Sequence, residues 1–179
     1  MKKISIIILF ISSLIFSYSC KSQSNEKGLE IYVQNIPHPI LTNENPEECY
    51  CCVELSKENL SIEPLISDND IKSFDWKKQK LSLTESGIKK IFGLDFSEHK
   101  SEGVPTVIAL NGQPIYSLII FPIGSSVACD RPFAYLQKDK DVLVIHFGVG
   151  KGESEFRFGE DPRFDKKLKE YTEYRFENN

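Results

Sequence analysis

A chain of 179 residues, 40 % apolar and 27 % charged, has the length of one globular domain and a composition that excludes a disordered, collagen-like or coiled-coil polymer. Its net charge of −4 argues against nucleic acid as a partner. Residues 1–19 read as a secretory leader: Met1-Lys2-Lys3 is basic, and residues 4–16 are apolar apart from serines. That run is shorter than the roughly 20 residues of a membrane-spanning helix, and no second run of that length follows, so the mature chain is not expected to span a bilayer. The leader holds two lysines and no acid, which leaves the mature chain more acidic still.

The leader ends in Ser17-Tyr18-Ser19-Cys20, which resembles the lipobox of bacterial lipoproteins, where a small residue precedes a cysteine that is acylated and becomes the new N-terminus. The pattern favours Leu where this chain has Ser17 and a small residue where it has Tyr18. Ser17-x-Ser19 also suits ordinary signal peptidase, which would leave Cys20 as a free thiol. The resemblance implies a lipid-anchored cell-envelope protein, with residues 20–28 as lipidated cysteine and polar tether. The absence of Asp after Cys20 implies sorting to the outer membrane, facing the periplasm or the cell surface. Two or three acyl chains give stable anchoring, and a tether of residues 21–27 reaches at most about 25 Å.

Residues 29–179 are then one domain. Leu29-Glu30-Ile31-Tyr32-Val33 alternates as a half-buried strand, and Val53 with Leu55 marks a second after a loop holding His38 and the cluster Cys49-Tyr50-Cys51-Cys52. Ser67-Asp68-Asn69-Asp70 is a capping-box variant that opens a short helix. Phe74-Asp75-Trp76 and Leu81-Ser82-Leu83 flank a basic turn and predict a hairpin. Thr84 opens the best-specified helix, with Leu83 and Ile88 as hydrophobic staple, Ile91 and Phe92 on the same stripe and Gly93 as cap. Asn111-Gly112 between two continuous apolar runs predicts a type I′ hairpin of central strands. Residues 142–149 read as a further apolar strand carrying His146, and Asp161-Pro162 starts a terminal helix that buries Phe164, Leu168 and Tyr171. Strands without regular βαβ alternation predict an α+β class: a mainly antiparallel sheet with helices packed on one face, a two-layer sandwich.

Three segments carry a second resemblance: Pro64-Leu65-Ile66-Ser67-Asp68-Asn69-Asp70-Ile71, the stretch from Leu81 through Thr84-Glu85-Ser86-Gly87 to Ile91, and Val107-Ile108-Ala109-Leu110-Asn111-Gly112-Gln113-Pro114-Ile115. In this order they resemble the head subdomain of the first periplasmic domain of SecD-type translocon proteins. The resemblance implies a small α+β module that binds protein chains or other ligands outside the cytoplasm. The many membrane helices and base subdomain of that family have no counterpart in this sequence, so proton-driven translocation is not implied.

Four cysteines remain after Cys20: Cys49, Cys51, Cys52 and Cys129. In an exported compartment they are disulfide candidates. Cys51 and Cys52 are poor mutual partners because adjacent Cα atoms lie only about 3.8 Å apart, so Cys129 is expected to join one member of the cluster. The alternative is a soft-metal site of Cys49, Cys51 and Cys52 with His38 or Cys129 as further ligand. A thiol-exchange enzyme is disfavoured, since no C-x-x-C opens a helix. His146 reads as a structural histidine, His99 as part of a solvated loop, and Ser125 and Ser126 lack a nucleophile elbow. Gly148-x-Gly150-x-Gly152 lacks the phosphate-loop ending and reads as a twisted strand end.

No catalytic residue and no cofactor is assigned. The leading reading is a non-enzymatic, membrane-anchored binding module for a protein or other extracytoplasmic ligand. The alternative is an envelope thiolate metal-binding or redox protein built on the cysteine cluster.

Overall fold

A computed structural model describes residues 28–35, 51, 55, 57–97, 103–137, 140–148, 157 and 159–177. The predicted α+β class holds, with the strands divided between two mostly antiparallel sheets instead of one. The larger has the order β1-β4-β5-β6-β8: β1 Leu29–Val33, β4 Val104–Leu110, β5 Gln113–Phe121, β6 Pro132–Tyr135 and β8 His146–Phe147. The smaller has the order β2-β3-β7: β2 Ile71–Asp75, β3 Lys80–Leu83 and β7 Val142–Val144. All described pairings are antiparallel except β5 with β6.

The sequence strand at residues 142–149 is one extended segment shared by both sheets. Val142–Val144 pairs with β3, while His146 and Phe147 pair with Phe133 and Pro132 of β6. The crossing point is Ile145, buried, whose N–H donates to the Gln79 carbonyl at 2.9 Å and whose carbonyl accepts from Arg163 at 2.6 Å. Gln79 itself, at φ +50°, closes the β2–β3 turn by donating its side-chain amide to the Trp76 carbonyl.

The main core lies between the sheets. Ile31, Ile108, Tyr116, Leu118 and Ile120 of the larger sheet meet Phe74, Leu81 and Leu143 of the smaller. The opposite face of β5 and β6 buries Ile119, Phe121 and Phe133 in a second cluster, which is why those strands are apolar at every position. β1 is buried almost throughout, against the half-buried expectation, because Glu30 has structural work: its carboxylate accepts from the Tyr32 hydroxyl at 3.1 Å and from the Gly112 N–H at 2.8 Å. Burial, then Glu30, pushes the Tyr32 phenol up to about 12.

Asn111 and Gly112 join β4 to β5 with φ of +54° and +71°, the type I′ signature. A bulge between Ile108 and Ala109 accommodates Pro114 near the strand start. Gly112→Val places a β-branched residue at positive φ and is expected to cost about 1 to 3 kcal/mol, seen as a lower denaturant midpoint.

Helix α1, Glu85–Phe92, begins as predicted: the Thr84 hydroxyl accepts from Gly87 N–H at 3.2 Å. Gly93 ends it at φ −82°, in right-handed geometry. The capping box at Ser67 opens only a 3-10 turn, Asp68–Asp70, before the chain enters β2. Burial alone would push the Asp70 carboxyl up, but the Lys90 ammonium at 2.6 Å and the Ser67 hydroxyl and N–H at 2.7 and 2.9 Å outweigh it and hold it at about 2. Because the folded value lies below the ordinary 3.8, Asp70 contributes about 2 kcal/mol that is full above pH 4 and lost as pH falls towards 2. Asp70→Asn should therefore flatten the acid limb of a stability-against-pH curve.

At the C-terminus, Asp161-Pro162 opens a 3-10 turn, Pro162–Phe164, and helix α2, Lys166–Thr172, starts from a second cap, Asp165, that accepts from the Lys167 and Leu168 N–H groups. The break corrects one buried residue: Phe164 is 49 % exposed, whereas Leu168 is buried and Tyr171 partly so. A π-helical turn, Glu173–Glu177, continues the helix. Val53 lies outside the described residues, and Leu55 is exposed and in no strand.

Candidate functional site

Cys51 and Cys129 are paired at disulfide distance, 78 positions apart, with Cα atoms 5.7 Å from each other. They are 1 % and 0 % exposed, in the second cluster beside Phe121, Phe133 and Tyr135. Tyr135 donates its hydroxyl to the Val127 carbonyl, which fixes the 122–131 loop over the sheet. Asp130, also buried, accepts from the Cys51 N–H at 2.9 Å. The two sulfurs and an Asp130 carboxylate oxygen all lie within 4.8 Å of one another, a donor set that a soft cation could use if both thiols were reduced. Sequence reasoning named Cys129 and the cluster but missed Asp130, whose only signal is its place next to Cys129. Cys20, His38, Cys49, Cys52 and His99 lie outside the described residues.

The remaining sequence candidates have structural settings. His146 stacks on the Phe133 ring at 5.3 Å on the exposed edge of β8, and burial, then Arg163, lowers its pKa from the usual histidine range. Ser125 accepts from the Val127 N–H within its loop. Gly148 takes φ +61° just past β8, while Gly150 and Gly152 lie outside the described residues. Asp161 caps the C-terminal 3-10 turn and pairs with Arg163 at 2.6 Å.

Two features were not among the sequence candidates. The first is a hub at Asp68. Its Oδ1 accepts from the Leu29 N–H at 3.1 Å and the Tyr171 hydroxyl at 2.7 Å, and its Oδ2 from Arg175 Nε at 3.0 Å. Gly28 sits against this hub so closely that an added Cβ would lie 2.2 Å from the Tyr171 hydroxyl. The start of β1 is thereby fastened to the C-terminal helix, and burial followed by Asp68 raises the Tyr171 pKa.

The second is an open groove of about 820 Å³ between the smaller sheet and the C-terminal helix. Residues 73–77 form one wall, and Lys169, Glu173, Phe176 and Glu177 the other. Phe164 and Trp76 meet edge-on at its base, 5.6 Å between centroids, and Trp76 meets Phe74 in the same way at 6.2 Å. Its size is that of a ligand-binding cleft. The sole tryptophan of the chain, in a lysine-rich turn, is the one hint in the sequence.

No protein-family model, curated protein or solved structure matches the chain. No helix among the described residues is long and apolar enough to cross a membrane.

Proposed function

We propose that the chain is a lipid-anchored cell-envelope protein, held at the outer membrane through Cys20, whose domain is a non-enzymatic binding module for a protein or another extracytoplasmic ligand. The observation that carries this reading is the buried pairing of Cys51 with Cys129 at disulfide distance, in a chain whose residues 1–19 read as a secretory leader. A bridge closing so long a loop belongs to an oxidising compartment. The SecD-type head resemblance of the sequence points the same way, and the aromatic groove offers a surface of ligand size. Cys20→Ala is expected to move the protein from the membrane to the soluble fraction and to abolish labelling by a fatty-acid analogue. A wild-type chain that takes no label would overturn the anchor.

A second reading rests on the three donors Cys51, Cys129 and Asp130. Together with His38, Cys49 or Cys52 they would make an envelope thiolate metal-binding or redox site. Counting free thiols and bound metal in the purified protein separates the two: a cross-linked Cys51–Cys129 peptide without metal supports the binding module, and about one equivalent of zinc or copper(I) per chain, falling off as protons compete for sulfur, supports the second.

A further inference from the structure

We propose that the groove takes an extended, basic peptide, which adds its main chain to the free edge of β2 and lays alternate side chains on Trp76 and Phe164. The proposal rests on the binding-module reading and names its site and ligand class.

Along a strand, successive side chains point to opposite faces, so a cleft over one face is lined by every second residue. Here the last three residues of β2, Ser73, Phe74 and Asp75, line the groove in succession, followed by Trp76 and Lys77 of the turn. The groove therefore follows the main-chain edge of the strand. β2 is an outer strand of its sheet, with β3 on its inner side only. The ladder also tells which groups point outwards. Gln79, just before β3, accepts from Ile145 and Leu83 donates to Asp141, so the main chain at these positions faces the β7 segment. Lys80 and Ser82, one residue out of step, face β2, where they pair with Asp75 and Ser73. The N–H and C=O of Phe74, between those two, point away from β3 towards the groove wall, in a residue 4 % exposed as a whole, and no described residue pairs with them.

The opposite wall is a single helical stripe, Lys169, Glu173 and Phe176, with Glu177 beside it. An edge strand facing a helix across a cleft is the geometry in which peptides bind by strand addition: main-chain bonds hold the backbone and pockets read alternate side chains. A saccharide could stack on the aromatic rings, but it has no use for a donor and acceptor presented at strand spacing. Of the carboxylates on the groove, Asp75 is paired with Lys78 at 3.4 Å and Glu173 with Lys169 at 3.6 Å, which leaves Glu177 to meet a basic side chain, in keeping with the net charge of −4.

The test uses the full chain and a short fluorescein-labelled peptide of alternating lysine and valine, in three forms: unmodified, N-methylated on every lysine amide, and N-methylated on every valine amide. Trp76, the only tryptophan, reports occupancy of the groove by its emission. The unmodified peptide should bind and shift that emission. One methylated set should weaken binding about tenfold or more while the other stays within about twofold, because alternate amides face the same edge. Glu177→Lys, on the exposed helix wall, should weaken the unmodified peptide. Equal behaviour of the two methylated forms overturns the strand addition. Binding that leaves Trp76 emission and the Glu177→Lys variant unmoved overturns the groove as the site but leaves the binding module standing. A chitooligosaccharide that shifts Trp76 emission where the peptide does not overturns the peptide and likewise spares the module. Failure of the unmodified peptide to bind overturns the basic-peptide proposal and leaves the binding module to its own test by free thiols and bound metal.

Discussion

Cys51→Ala with Cys129→Ala is expected to lower the unfolding free energy of the oxidised protein by about 4 to 5 kcal/mol. The pair closes a loop spanning 78 positions, and in the chain-entropy account the stabilisation comes from the unfolded ensemble, which loses conformations when its ends are tied. In the folded state the same pair pins the 122–131 loop to residue 51 beneath Phe121 and Phe133. Reduction of the wild type should produce a similar drop in denaturant midpoint, and the alanine variant should then be indifferent to reductant. A wild type equally stable with and without reductant would mean that the two thiols are not joined. Because the groove lies across the molecule on other elements, ligand binding under mild conditions should survive the loss of the bridge.

Asp68→Ala should be the most damaging substitution away from the cysteines, costing about 3 to 5 kcal/mol. It removes the acceptor for three donors at once and leaves the buried Leu29 N–H without a partner. Arg175, 37 % exposed in its side chain, contributes the smallest share, since water takes over part of its hydrogen bonding. Asp68→Asn keeps an oxygen for Leu29 and Tyr171 and should cost markedly less, and Tyr171→Phe less again. Chemical denaturation of the three variants checks the order; equal losses would mean that Asp68 acts through packing and not through its carboxylate.

The elements governed by local chemistry were legible in the sequence. Thr84 as helix cap, the Asn111-Gly112 turn and the positions of β1 and β3 each depend on a few neighbouring residues, and each lies where it was expected. Expectations failed where tertiary geometry decided. Nothing at Ile145 marks a strand that changes sheets, because residues 142–147 carry no glycine or proline and a run that is apolar but for His146 serves either partner equally well. Phe164 was placed in the core by helical spacing, but Asp165 restarts the helix and turns that ring outwards. Glu30 looked like a solvent-facing strand residue; its buried role depends on a turn 82 positions away. The disulfide partner of Cys129 was narrowed to a cluster, since proximity in sequence cannot choose among Cys49, Cys51 and Cys52. The groove was invisible for the same reason: its walls lie about a hundred positions apart, and its binding groups include main-chain atoms that any sequence supplies.

The segment that passes from β7 to β8 through Ile145 also determines how the domain comes apart. Its first half is hydrogen-bonded into the smaller sheet and its second into the larger, so neither sheet can melt without releasing the other. Amide hydrogens on Leu81 and Leu143 should then exchange with the same opening free energy as those on Leu118 and Phe133, as one cooperative unit instead of two. Only the strand edge that faces the groove is exempt. The Phe74 amide, unpaired by β3, should exchange faster than the amides of Ser73 and Asp75 although the residue is buried, and it should slow when the groove is filled.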